Sequence, residues 1–123
     1  MFKEYQCVMQ EGNKDCGACA LWTIIKTYGG NVSLEYLKDL TRTTKEGTNA
    51  YLIISAAKEM GLSSKAVRGS VFDLEDNMFP CIAHVIINKS MGHFIVIHKI
   101  DRIKKILTIA DPAVGRRLMS YTE

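Results

Sequence analysis

The pattern of the chain changes at Gly61, from segments with helical features to short apolar runs typical of β-strands. Before Gly61, apolar residues recur at helical spacing between residues that favour helix ends. After Pro80, three runs rich in Ile and Val are separated by short polar segments, which predicts strands joined as antiparallel hairpins. Helices first and antiparallel strands afterwards predict a two-layer α+β domain, in which an N-terminal helical layer packs on a C-terminal antiparallel sheet.

Residue types at the segment ends set the predicted boundaries. Three helices are expected, the first followed by Gly29-Gly30 and the third by Gly61. The residues expected to cap them are Asp15, Ser33, and either Thr48 or Asn49. Strands are predicted over residues 64–68, 81–87, 93–100, 106–110 and 115–119, with an irregular or single-turn segment over 71–78.

Composition excludes several classes of protein. A chain of 123 residues with 47% apolar and 24% charged residues is typical of one globular domain. The formal charge is +3 and the basic residues are scattered, so no nucleic-acid partner is predicted. No apolar run approaches the roughly 20 residues that span a bilayer. Four cysteines without a secretory signal pattern predict reduced thiols in the cytoplasm.

Cys16 directly follows the expected N-cap of the first helix. A thiol at this position lies among unpaired N–H groups and at the positive end of the helix dipole, and both favour the thiolate. The alternative is a small buried hydrophobic residue. The position at the helix start and the Asp-Cys-Gly sequence favour a nucleophile.

A nucleophilic cysteine needs a base, and His93 is the preferred candidate over His84 and His98, because it follows Gly92 at the start of its predicted strand. Counting the same number of residues backward and forward from a turn centred near residues 102–103 places His93 opposite Asp111, within one residue. Cross-strand Cβ atoms lie about 5 Å apart, so a carboxylate there can hold an imidazole. The alternative for this pair is a surface ion pair.

Cys16, His93 and Asp111 together match the arrangement of a cysteine protease, with nucleophile, base and orienting residue. Gln10 lies six residues before Cys16. Its side-chain amide is predicted to join the Cys16 N–H group in stabilising the oxyanion. The alternative for Gln10 is a solvated loop residue.

Four motifs carry a resemblance to a known family: Gln10 with Asp15-Cys16-Gly17-Ala18-Cys19-Ala20-Leu21, then Tyr28-Gly29, then His93-Phe94-Ile95-Val96-Ile97, then Asp111-Pro112-Ala113 with Gly115. In these motifs and their order the chain resembles the C39 peptidase domain, the papain-like N-terminal part of bacteriocin-type ABC exporters. The resemblance implies a papain-like cysteine protease fold on the cytoplasmic side of the bacterial cell membrane.

The family resemblance also implies an activity. Such domains cut the leader from a precursor peptide after a Gly-Gly or Gly-Ala pair, and the transporter, with its transmembrane and nucleotide-binding domains, exports the product. Carried over, Cys16 is the nucleophile, His93 the base and acid, Asp111 the orienting residue and Gln10 the oxyanion donor. No cofactor or metal is expected. Some relatives lack the cysteine and only bind peptides, whereas Cys16 places this chain among the cleaving ones.

The whole chain, residues 1–123, is expected to be a single C39-type domain excised from a longer ABC transporter chain. Ser120 and Glu123 have the spacing of a capping box, which is a helix-start signal, and the alternative is a chance match.

Two rival functions use the same residues. Cys16-Gly-Ala-Cys19 is a Cys-x-x-Cys motif at a helix start, as in thioredoxin-like redox proteins, although the loop before it is polar. Zinc binding would need a second such motif or a suitably spaced histidine pair. A peptide-binding module without turnover is the other rival, and the presence of Cys16, His93 and Asp111 argues against it.

Overall fold

A computed structural model of the chain describes residues 6–9, 15–43, 48–62, 64, 72, 74–87 and 91–121. Within these residues the N-terminal half is helical and the C-terminal half forms one sheet. The helices are α1 (Cys16–Thr27), α2 (Leu34–Leu40) and α3 (Ala50–Glu59). The strands are β1 (Cys81–Ile87), β2 (Met91–Asp101), β3 (Ile106–Asp111) and β4 (Gly115–Ser120), and a 3-10 turn over Asp76–Met78 precedes β1.

Two of the three predicted helix caps form as expected. The Ser33 hydroxyl accepts a hydrogen bond from the Tyr36 amide at 3.1 Å, and the Asn49 side chain accepts one from the Leu52 amide at 2.9 Å. Each satisfies an N–H group in the first turn of its helix, where no intrahelical partner is available.

Asp15 occupies the N-cap position of α1, but the prediction that its side chain caps the helix is wrong. The carboxylate makes no capping hydrogen bond and instead lies 3.4 Å from the ammonium group of Lys38 on α2. Asp15 is buried, so an opposite charge offsets the cost of removing its carboxylate from water. Asp15, the residue before Cys16, therefore connects the start of α1 to α2 through an ion pair.

The sheet has the order β1-β2-β3-β4, and each strand is antiparallel to its neighbours. The hairpin prediction is therefore confirmed for the strands after Pro80. The register between β2 and β3 shifts between Ile97 and Lys99, so His98 lies in a β-bulge. The strand predicted over residues 64–68 falls mostly outside the described residues.

Both faces of the sheet carry buried side chains. On one face, Phe94, Val96 and Ala110 form a cluster with the helical residues Ala20, Ile24 and Ile53. On the other face, Ile95, Ile97, Leu107 and Ile109 form a second cluster, against which Leu74 and Phe79 pack. The helical layer thus packs on one face of an antiparallel sheet, and the predicted α+β fold is confirmed. None of the helices seen in the described ranges has the length and apolar character needed to cross a membrane.

Candidate active site

Cys16 is the first residue of α1, and it is half-buried against the cluster formed by α1, α3 and the sheet. The next residue, Gly17, lies so close to its neighbours that a Cβ atom there would clash with the Thr48 methyl group. The same Cβ atom would lie 3.2 Å from Ile53 and 3.4 Å from Phe94. The start of α1 therefore packs closely against both α3 and β2, and this packing fixes the backbone that carries the thiol.

His93 and Asp111 form a buried pair between β2 and β3. The Nε2 atom of His93 lies 2.6 Å from Oδ1 of Asp111, and each residue is 7% exposed. Since a carboxylate accepts hydrogen bonds, Nε2 carries the proton, and Nδ1 is the ring nitrogen that remains for proton exchange. The surface ion pair considered as an alternative is wrong, because both residues are buried.

The Ala113 amide also donates to Oδ1 of Asp111, at 2.9 Å, and fixes the carboxylate from the other side. Our sequence analysis did not identify this donor. The signal for it is Asp111 at the start of a turn, because aspartate side chains commonly accept a hydrogen bond from the amide two residues later. The orienting carboxylate is thus itself oriented by the backbone.

The predicted register of the β2–β3 hairpin is wrong by two residues, although the predicted contact is present. The turn over residues 102–105 and the bulge at His98 give the pairing Val96↔Ala110, which places Ile95 opposite Asp111. His93 is displaced along β2 by two positions and so lies on the same face of the sheet. It reaches Asp111 diagonally, a distance that long or aromatic side chains can cover.

The other two histidines have different surroundings. His98 is buried, and its Nε2–H group donates to the Gln6 carbonyl at 2.8 Å. His84 is exposed, and its ring centroid lies 4.7 Å from that of Phe94. Of the three, His93 is the histidine paired with Asp111, as predicted. Gln10 lies outside the described residues, and its role stays a prediction.

The four cysteines are free thiols in different environments. Cys19 is fully buried. Its thiol donates to the Met9 carbonyl, with 3.7 Å between Sγ and the oxygen. Burial raises the pKa of Cys81 to about 11, and burial is also the main reason that the pKa of Cys7 is raised. Cys19 therefore faces the core, and such a thiol is poorly placed for disulfide exchange with a substrate. Across the described ranges, no group of three or more potential metal ligands occurs.

Comparison with known proteins identifies relatives of this chain. Residues 4–123 match the model of the Peptidase C39 family. The transport/processing ATP-binding protein ComA of Streptococcus pneumoniae is 34% identical over 111 residues, which are 89% of this chain and 15% of that protein. The chain therefore spans only about a sixth of the length of such curated relatives.

Two solved structures share the fold. The peptidase domain of Streptococcus ComA, a bi-functional ABC transporter, superposes with a TM-score of 0.88 at 35% identity, covering 97% of this chain and 88% of that one. A double-glycine motif protease from an AMS/PCAT transporter, solved with its leader peptide, superposes with a TM-score of 0.82 at 28% identity, covering 98% and 82%. The chain belongs to the Peptidase C39 family and is a cysteine peptidase with the papain-like α+β fold.

Proposed function

We propose that this domain removes the leader from a precursor peptide by cutting after a Gly-Gly or Gly-Ala pair. The observation that carries the proposal is the buried His93–Asp111 pair, with 2.6 Å between Nε2 and Oδ1, because it leaves Nδ1 as the proton-exchanging nitrogen. The similarity to a double-glycine motif protease solved with its leader peptide supports the substrate class.

In the proposed mechanism, Nδ1 of His93 takes the proton of the Cys16 thiol, and the thiolate attacks the carbonyl carbon of the last leader residue. The carbonyl oxygen becomes an oxyanion, which the Cys16 amide and the Gln10 side chain stabilise. The imidazolium then protonates the departing amine, and a thioester to the leader remains. Water, deprotonated by His93, hydrolyses the thioester and restores the thiol.

Asp111 acts on this sequence through the imidazole ring. Its carboxylate accepts the Nε2 proton, which fixes the tautomer and stabilises the imidazolium that forms when Cys16 is deprotonated. The Ala113 amide restricts the carboxylate to the orientation that serves the ring. The pair, in which each residue is 7% exposed, therefore supplies orientation and charge stabilisation from buried surroundings.

Two glycines alone cannot define a substrate, because glycine pairs are common in proteins. Further affinity is proposed to come from a remote part of the leader, bound as an amphipathic helix in an apolar groove.

We further propose that residues 1–123 are one domain of a longer ABC transporter chain and act on the cytoplasmic side of the bacterial membrane. There, cleavage is coupled to export. The transport function of relatives such as ComA supports this proposal.

The test is to incubate the domain with candidate double-glycine leader peptides and to locate any cut by mass spectrometry. We expect one cut, after the glycine pair, and no cut with Cys16→Ala, which keeps a small residue at the helix start. Replacing the last leader glycine by valine or leucine is expected to stop turnover. A short peptide ending in Gly-Gly is expected to be a far poorer substrate than the whole leader, and equal turnover of the two would contradict remote recognition.

The same assay separates the rival functions. A non-cleaving module would bind the leader with wild-type Cys16 present and leave it intact. A redox protein would need Cys16 and Cys19 equally. We expect Cys19→Ser to keep most of the peptidase activity, because a serine hydroxyl can also donate to the Met9 carbonyl that the Cys19 thiol faces. The full burial of Cys19 favours the peptidase.

A further inference from the structure

The segment Gln6–Met9, which we call the arm, lies between α1 and the sheet and is held by side chains from both. The arm runs toward the start of α1, because Val8 contacts Thr23 whereas the next residue, Met9, contacts Cys19 one helical turn earlier. The arm therefore leads toward the end of the helix that carries Cys16.

On the helix side, Thr23 is the central contact. Its hydroxyl donates to the Cys19 carbonyl at 2.9 Å and accepts from the Val8 amide at 3.0 Å, and the residue is 1% exposed. Cys19 adds a weaker thiol donor to the Met9 carbonyl at 3.7 Å. An apolar residue at position 23 would leave the buried Val8 amide without this partner, which is costly inside a protein.

On the sheet side, His98 holds the other end of the arm. The β-bulge places this residue outside the regular pairing of β2 with β3, and its ring donates to the Gln6 carbonyl at 2.8 Å. His98 is 8% exposed and belongs to the same strand as His93. The arm is thus fastened to the helix that carries the nucleophile and to the strand that carries the base.

We propose that Thr23, Cys19 and His98 are positioning residues that act through the arm on Gln10. The inference rests on the proposed function, in which Gln10 is an oxyanion donor. Gln10 follows Met9 directly in the sequence, so the contacts made by residues 6, 8 and 9 fix the backbone that leads to it. The second cysteine of Cys16-Gly-Ala-Cys19 thereby has a role in peptide hydrolysis that needs no redox chemistry.

The test is a double-mutant cycle of Thr23→Val and Gln10→Ala on the leader peptide. Thr23→Val keeps the volume of the side chain but removes its hydroxyl. We expect kcat to fall by about 10-fold to 10²-fold with little change in KM, since a displacement of about 1 Å in a catalytic group costs up to this much. In the Gln10→Ala background the same substitution is expected to have almost no further effect, because the group through which it acts is gone.

Two matched variants give the controls. Thr23→Ser restores the hydroxyl and is expected to recover most of the lost kcat. Thr27→Val removes an equivalent hydroxyl one turn further along α1, where it donates to the Thr23 carbonyl, and is expected to leave kcat unchanged. If Thr23→Val lowers kcat equally with and without Gln10, or if Thr27→Val has the same effect, the positioning role is wrong.

Amide hydrogen exchange tests the arm without relying on activity or on a variant that must fold. In the wild-type chain, the Val8 amide is expected to exchange as slowly as the amides in the middle of α1, because Thr23 accepts its proton. Exchange at the rate of an unprotected amide would overturn the inference. If the wild type cuts no leader but Val8 is protected, the proposed function fails while the arm contacts stand.

Discussion

The His93 ring reaches Asp111 diagonally across the β2–β3 pair, with its Nε2 atom 2.6 Å from Oδ1 of a carboxylate that the Ala113 amide also holds. The carboxylate is therefore restrained by a ring on one strand and by the backbone of its own turn. Because this geometry decides which ring nitrogen is protonated, it determines the proton transfers available to His93.

Asp111→Asn tests this pair directly. An amide oxygen can still accept from Nε2 and from Ala113, but it no longer stabilises the imidazolium by charge. The thiolate and the imidazolium form together as a pair, so losing the charge that stabilises the imidazolium also makes the thiolate harder to form. We therefore expect the acidic limb of the kcat/KM profile to shift to higher pH. The loss of rate should be smaller than the factor of about 10²–10⁴ that a general base supplies. Thermal unfolding should change little, because both hydrogen bonds can persist. A variant with unaltered rate and pH profile would remove Asp111 from the mechanism.

The order in which the cysteines react with an alkylating reagent is a second prediction. At pH 8 we expect Cys16 to be labelled first, because Cys19 is fully buried and burial raises the pKa values of Cys7 and Cys81. A thiol with a pKa of about 11 stays protonated at pH 8 and becomes reactive only as the pH rises toward that value. Peptide mapping by mass spectrometry at pH 8 and pH 10 measures the order, and equal labelling of all four thiols at pH 8 contradicts the assignment.

Gln10→Ala is expected to lower kcat by about 10²–10³-fold with little change in KM, because an oxyanion donor acts chiefly in the transition state. Steady-state kinetics on a full-length leader measures both constants. A raised KM with unchanged kcat would instead make Gln10 a residue that binds the substrate.

Gly17→Ala is expected to destabilise the fold by about 1–3 kcal/mol, the usual cost of overpacking. The added Cβ atom would press against Thr48 and lie 3.2 Å from Ile53, so α1 must move relative to α3. Denaturant unfolding measures the loss. The movement also displaces Cys16, so the cleavage rate should fall even under conditions where the variant is fully folded, and unchanged stability would show that the site has more room than the structure indicates.

The parts of the fold that could be predicted are those encoded by neighbouring residues. Ser33 and Asn49 cap their helices through amides three residues ahead, and such local signals are visible in a sequence. Asp15 has the same cap signal, but its side chain contacts Lys38 on another helix, and a sequence without a fold does not reveal that competition.

The site shows the same division between local and tertiary information. Residue types and strand ends pointed to His93 and Asp111, but the register between them depends on a bulge at His98. That bulge accompanies a bond between the His98 ring and Gln6, 92 residues earlier in the chain, so no local pattern announces it. The contact was predicted despite the wrong register because residues two positions apart on a strand share one face.

The position of the His93–Asp111 pair within one hairpin has a consequence for how the site is assembled. The pair closes a segment of 18 residues, whereas Cys16 lies 77 residues before His93. Since the entropy cost of loop closure rises with the logarithm of length, joining the thiol to the hairpin costs about 1 kcal/mol more, and it also requires the helical layer to pack. The acid–base half of the site is thus a local unit, and the loss of the thiol leaves its hydrogen bonds in place. A change at position 16 alone can therefore remove the nucleophile and leave the rest of the fold in place.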